Sequence, residues 1–170
     1  MAETLNTFAD FLADFPYEAD WPNDSAKELP GKDVSELLVN GLRKQGIDVD
    51  GVDAADYGHF IDCLCGGRPF TIVVSVDDPW EMKRWTVQCY PSEGLLTRLI
   101  HGSADFEFRQ VLTAVHQALK GSDKVRDIRW FPAFDPPWSL DVRKAARTPL
   151  HPAANDKDLE GSLWDRDLDG

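Results

Sequence analysis

The stretch HFIDCLCGGRPFTIVVSV, residues 59–76, decides the fold. Residues 59–65 alternate along the chain. In 68–76, Phe70, Ile72, Val74 and Val76 alternate with Thr71, Val73 and Ser75. Successive side chains of a strand point to opposite faces, so a period of two predicts strands here. Gly66-Gly67 lies between the runs, and residues that accept positive φ are what a tight hairpin turn requires. Beyond a connection at 77–83, RWTVQCY (84–90) puts Trp85, Val87 and Cys89 on one face, and Pro91 stops the run. The three runs predict a three-stranded antiparallel meander.

Helices flank it. DVSELLVNGLRKQG (33–46) sets Val34, Leu37, Leu38 and Leu42 on one stripe. Asp33 is a plausible N-cap with Glu36 three residues on, and Gly46 stands where a helix stops. ADFEFRQVLTAVHQALKG (104–121) has Phe108, Val111, Leu112, Val115 and Leu119 at helical spacing, ended by Gly121. Residues 3–15 place Leu5, Phe8, Phe11, Leu12 and Phe15 on a helical stripe that Pro16 ends. EGLLTRLIHG (93–102) reads as a turn of helix, DVDGVDAADYG (48–58) as a loop, and DIRWFPAF (127–134) as a last strand broken by Pro132.

This order predicts an α+β two-layer sandwich, a three-stranded antiparallel meander plus a fourth strand with helices on one face. The fourth strand follows a helical crossover, so it is expected parallel to an odd-numbered strand of the meander. Residues 1–134 form a single domain, with the N-terminal helix and the Pro-rich segment of 1–32 packed on it. Residues 135–170 form an irregular, Pro-rich and acidic C-terminal arm.

Charge limits the function. The chain of 170 residues holds 30 Asp and Glu against 18 Lys and Arg, a net charge of -12. Nucleic acid is excluded as a partner, because its binding needs clustered cations to displace counterions. Anionic membranes are disfavoured on the same ground. A basic protein would be attracted and steered. Three cysteines, Cys63, Cys65 and Cys89, do not make a secreted disulfide framework. With no signal peptide and no apolar run long enough to span a membrane, the chain is expected in the cytoplasm.

No motif fixes a reaction, so no catalytic residue is assigned and no cofactor is expected. The spacing C-x-C is not a zinc knuckle, and the four histidines are scattered; the cysteines read as core residues. No G-x-S-x-G, H-E-x-x-H or phosphate-binding glycine loop occurs. No metal site is expected. The weak alternative is calcium at Asp156, Asp158, Glu160 and Asp167, which fall at loop positions 1, 3, 5 and 12, but Asp replaces the usual Glu at the last.

The six tryptophans carry more weight. Trp85 and Trp130 sit in strands and belong to the core. Trp21, Trp80, Trp138 and Trp164 sit in Pro-rich or acidic segments, where they either anchor the segment or meet a partner. Asp77, Asp78, Trp80 and Glu81, with Asp20 and Trp21, are the candidate contact for a basic partner. At the level of class, the size, acidity and helix–meander–helix layout resemble small bacterial inhibitor proteins, such as the immunity proteins that neutralise toxins. They also resemble acidic secretion chaperones. The resemblance implies a small acidic protein-binding module, an inhibitor of a basic enzyme or a chaperone. Two other roles compete. One is a small-ligand protein or enzyme with its site between sheet and helices. The other is an assembly component that dimerises through a sheet edge or the 135–150 arm.

Overall fold

The computed structural model describes residues 5–15, 31–55, 58–76, 84–132 and 145–150. Its elements are β1 (Phe8–Ala13), α1 (Lys32–Lys44), β2 (Asp48–Ala55), β3 (Gly58–Cys65), β4 (Arg68–Val76), β5 (Arg84–Pro91), α2 (Leu95–His101), α3 (Asp105–Lys120) and β6 (Val125–Phe131). The six strands form one sheet in the order β2-β3-β4-β5-β1-β6, and every neighbouring pair is antiparallel. The protein is therefore α+β, as the alternation of 59–90 predicts, with two more strands than expected.

The meander is β3, β4 and β5. Gly66 and Gly67 turn the first hairpin with φ of 57° and 76°. Positive φ at both central residues matches the twist of the flanking strands, and only glycine adopts it without strain. On the inner face, Phe70, Ile72, Val74, Trp85, Val87 and the three cysteines are all buried. α1 and α3 cover that face. The two helices meet where Gly41 approaches Ala118, so closely that a Cβ at position 41 would lie 2.4 Å from the Ala118 Cβ. α1 starts at Lys32 after Gly31 (φ 116°) rather than at an Asp33 cap, and Asp33 lies in its first turn.

Three expectations are corrected. Residues 8–13 are a strand, not part of a helix over 3–15. β1 lies between β5 and β6 and is buried on both faces: Ala9, Phe11 and Ala13 enter the helix-side core, and Phe8 packs on Phe131 on the other. A strand buried on both sides has no polar alternation, so its apolar spacing also fits a helix. Residues 48–55 are a strand, not a loop. β2 is an exposed edge rich in Asp, and its poor strand propensity is overridden by its ladder to β3. Finally, β6 does not pair with a meander strand. It runs in the same direction as β5, as a helical crossover requires, but β1 is inserted between them and β6 pairs with β1 antiparallel.

The outer edge of β6 is also covered, since Trp130 and Ala146 exchange backbone hydrogen bonds of 2.8 Å. Trp85 and Trp130 are core residues, at 1% and 0% exposure. The Trp130 indole donates to His116 Nδ1 of α3 at 3.1 Å, which fastens β6 to the helix layer. No described helix is long and apolar enough to cross a membrane.

Candidate functional site

The residues singled out by sequence, Asp77, Asp78, Trp80, Glu81, Asp20 and Trp21, lie outside the described residues. So do Asp156, Asp158, Glu160 and Asp167, and Trp138 and Trp164. Among the described residues, no group of three or more His, Cys, Asp or Glu side chains is placed to hold a metal ion. The cysteines are free thiols inside the core. Burial, then the neighbouring Cys65 and acids, pushes the Cys63 thiol up to about 12. Burial likewise raises Cys89 and Cys65. A thiol held protonated in apolar surroundings is a poor nucleophile and a poor ligand.

The structure builds three features of its own. The first is a charged cluster on the sheet face opposite the helices. β1 contributes Asp10, β5 Arg84 and β6 Arg129. Asp10 accepts from Arg129 Nε and Nη2 at 2.7 Å each, and from Arg84 Nη2 and Nε at 3.0 and 3.2 Å. Arg84 also reaches Asp127 at 3.2 Å. Asp127 has φ of 54° in the irregular part of β6, an uncommon conformation for a non-glycine residue. Burial works against the Arg84 charge, but the bonds and charge of Asp10, then those of Asp127, outweigh it and raise its pKa. Arginine does not give up its proton in proteins, so the cluster fastens three strands through permanent positive charges.

The second feature is a pair of clefts at the rim of the helix layer. One, of about 430 Å³, lies between α1 and the β2–β3 edge and is lined in part by Ser35, Glu36, Arg43 and His59. The Ser35 hydroxyl is buried there without a hydrogen-bond partner. The other, of about 400 Å³, lies beside the β3–β4 turn and includes Cys65, Phe106 and Gln110. Between them the space under the helices is filled, with Phe70, Ile72, Val74, Trp85 and Val87 at 0–1% exposure.

The third feature is α2. Its four apolar side chains, Leu95, Leu96, Leu99 and Ile100, are 75, 75, 73 and 74% exposed. They occur at i, i+1, i+4 and i+5, which is one stripe of a helix. Thr97 is the least exposed residue of the helix, and the apolar stripe faces away from the domain. Phe106, in the first turn of α3, is 70% exposed as well.

Among the described residues, Arg68 ties both ends of α2 to β4, beside the Ser92 hydroxyl bonded to Thr71 at 2.6 Å. Arg68 of β4 pairs with Glu93 before the helix, with Nη2 donating to Oε2 at 2.6 Å. Its Nε also donates to Glu93. The same guanidinium donates to the carbonyls of Gly102 at 2.9 Å and His101 at 3.4 Å, after the helix. Hydrogen bonds from Arg68 hold the Glu93 carboxyl below the usual carboxylate range. Both ends of a short helix are thereby tied to one strand, and the apolar ridge becomes a fixed platform.

Sequence reading found the helical turn at 93–102 but not its orientation, and it missed the Asp10 cluster. Asp10 gave no signal because its partners lie 74 and 119 residues away. Comparison with protein-family models and with curated proteins finds no match to this chain.

Proposed function

We propose that the protein acts by binding another protein, and that α2 is a docking surface. The observation that carries this reading is the outward stripe of Leu95, Leu96, Leu99 and Ile100. Covering one such side chain is worth about 1.5–3 kcal/mol, and monomers rarely leave a contiguous apolar patch of several large residues bare. An aliphatic stripe on a fixed helix is also one of the recurring forms of protein recognition.

The net charge of -12 supports a basic partner, met through acidic surfaces away from α2. The exposed edge strand β2 carries Asp48, Asp50 and Asp53. An inhibitor or immunity-type protein fits this description, and an acidic secretion chaperone is the alternative. Three buried thiols without a disulfide fit a reducing cytoplasm.

The test places a photo-crosslinking amino acid at Leu96 or Leu99, with exposed Lys120 as control. A discrete protein adduct from 96 and 99 but not from 120 is expected. No adduct, or the same adducts from all three positions, refutes the reading. A contact with a basic partner should weaken toward about 1 M salt, where the Debye length falls to about 3 Å.

A second reading, a small ligand in the cleft beside α1, is supported by the unpartnered Ser35 hydroxyl next to buried His59. Fragment screening by NMR should then shift Ser35 and His59 resonances together, and a screen that moves neither removes it.

A further inference from the structure

We propose that the ridge of α2 pairs with the α2 ridge of a second copy of this chain, antiparallel about a two-fold axis. The inference rests on the reading of α2 as a docking surface and names its occupant. Three observations favour a second copy over another partner.

The first is charge. The stripe of Leu95, Leu96, Leu99 and Ile100 carries none, and Glu93 at its start is already paired with Arg68. A basic partner, which the chain as a whole attracts, finds no free carboxylate on the ridge and meets Arg98 beside it.

The second is self-complementarity. An isologous interface needs a patch that fits itself. With α2 antiparallel to its mate, Leu95 opposes Ile100 of the second copy and Leu96 opposes Leu99. Every contact is aliphatic on aliphatic, and the order reads the same from either side.

The third is area. Each ridge presents on the order of 500 Å² of apolar surface, near the top of the range for the largest patch on a monomer. Two ridges together bury on the order of 1,000 Å², the size of a weak or transient interface. The dimer is therefore expected in the micromolar range rather than as an obligate pair. Its copies carry -12 each. Self-association should consequently tighten as salt is added, because salt screens the repulsion between the acidic bodies. A contact with a basic partner has the opposite salt dependence.

The experiment is sedimentation velocity on the purified full chain over a wide concentration range, at low and high salt, beside the variant Leu96→Asp/Leu99→Asp. Both side chains are about three-quarters exposed, so the variant is expected to keep the melting temperature of the parent. The parent should dimerise, more tightly at high salt. The variant should weaken the dimer at least about a hundredfold, since each substitution acts twice across the axis. Should the variant misfold, a photo-crosslinker at Leu96 in the otherwise unchanged chain serves instead, and adducts that map to residues 95–100 of a second copy support the proposal. A parent that stays monomeric at millimolar concentration overturns it, as does a variant that still dimerises. If the purified chain is monomeric but position 96 captures a different protein, the second copy is wrong and the docking surface stands. If it captures nothing, both fail. Binding of the monomer to phosphatidylcholine vesicles, lost in the variant, overturns the proposal in favour of a lipid surface.

Discussion

Replacing Asp10 by Asn should be among the most damaging single substitutions in the described part of this protein. Asp10 is 3% exposed and accepts four hydrogen bonds from two guanidinium groups. Asn keeps the shape but removes the charge, and it turns an amide N–H₂ toward groups that are themselves only donors. Arg84 and Arg129, 7 and 8% exposed, would then share one carboxylate fewer inside the protein. Breaking a buried ion pair from one side costs about 3–5 kcal/mol. Single domains are stable by about 5–15 kcal/mol, so the loss is about a fifth of the total or more. An internal control exists. Arg126 and Asp14 also pair between β6 and the end of β1, at 2.9 Å, but are 61 and 60% exposed. Arg126→Ala should cost less than about 1 kcal/mol, because water screens that pair. Urea denaturation of both variants, compared at unchanged m, measures the difference. If Asp10→Asn costs no more than Arg126→Ala, burial does not make this cluster a fastener of β5, β1 and β6, and the reasoning fails. A further check replaces the cluster by Asp10→Leu/Arg84→Met/Arg129→Met, which should cost less than Asp10→Asn alone, because no unpaired buried charge remains from the triad.

Gly41→Ala should destabilise by about 1–3 kcal/mol, because the new methyl meets Ala118 at 2.4 Å and the crowding outweighs the better helix propensity of Ala; chemical denaturation measures it, and a gain in stability would refute the close α1–α3 contact. Burial, then Lys120, lowers the pKa of His116, whose Nδ1 must stay unprotonated to accept from Trp130. With the folded value depressed, the unfolded chain binds the proton first. The His116 contribution is therefore intact above the unfolded pKa of about 6.5 and is lost as pH falls from there through the folded value. Melting temperature should drop over that window, and His116→Gln should flatten the drop. Arg68→Ala should free both ends of α2, so that the amides of Thr97, Arg98 and Gly102 exchange at least about tenfold faster while α3 amides do not change.

What was legible in the sequence was whatever has one wet side and one dry side. β4 and β5 alternate because their inner residues meet the helices and their outer ones do not. α1 and α3 carry apolar stripes closed by Gly46 and Gly121. β1 has no wet side. Its spacing of Phe8, Phe11 and Leu12 satisfies a helix as well as a strand, and only its ladders to β5 and β6 decide. β2 fails from the opposite direction, because Asp48, Asp50 and Asp53 on an exposed edge look like a loop. Those charges are what an unpaired edge needs to avoid joining other sheets.

The outward ridge of α2, the proposed docking surface, was hidden for a different reason. Leu95, Leu96, Leu99 and Ile100 have the spacing of a core helix, and periodicity gives the width of an apolar face but not the direction in which it points. The direction is set by Arg68, which binds Glu93 on one side of α2 and the carbonyl of Gly102 on the other, from a strand 25 to 34 residues earlier. No local pattern encodes such a tie. A signal was nonetheless present. The inner face of this sheet is filled by the stripes of α1 and α3, with Leu38, Leu42, Val111, Leu112, Val115 and Leu119 essentially buried. Among the described residues, a third apolar helix then finds no room left on the inner face of the sheet. Counting apolar stripes against the sheet available to receive them would have marked residues 95–100 as surplus. It is this surplus stripe, held outward by the Arg68–Glu93 ion pair, that the proposed docking surface rests on. The same count directs attention, among the described helices, to the one whose apolar side chains, Leu95, Leu96, Leu99 and Ile100, are left outside the core.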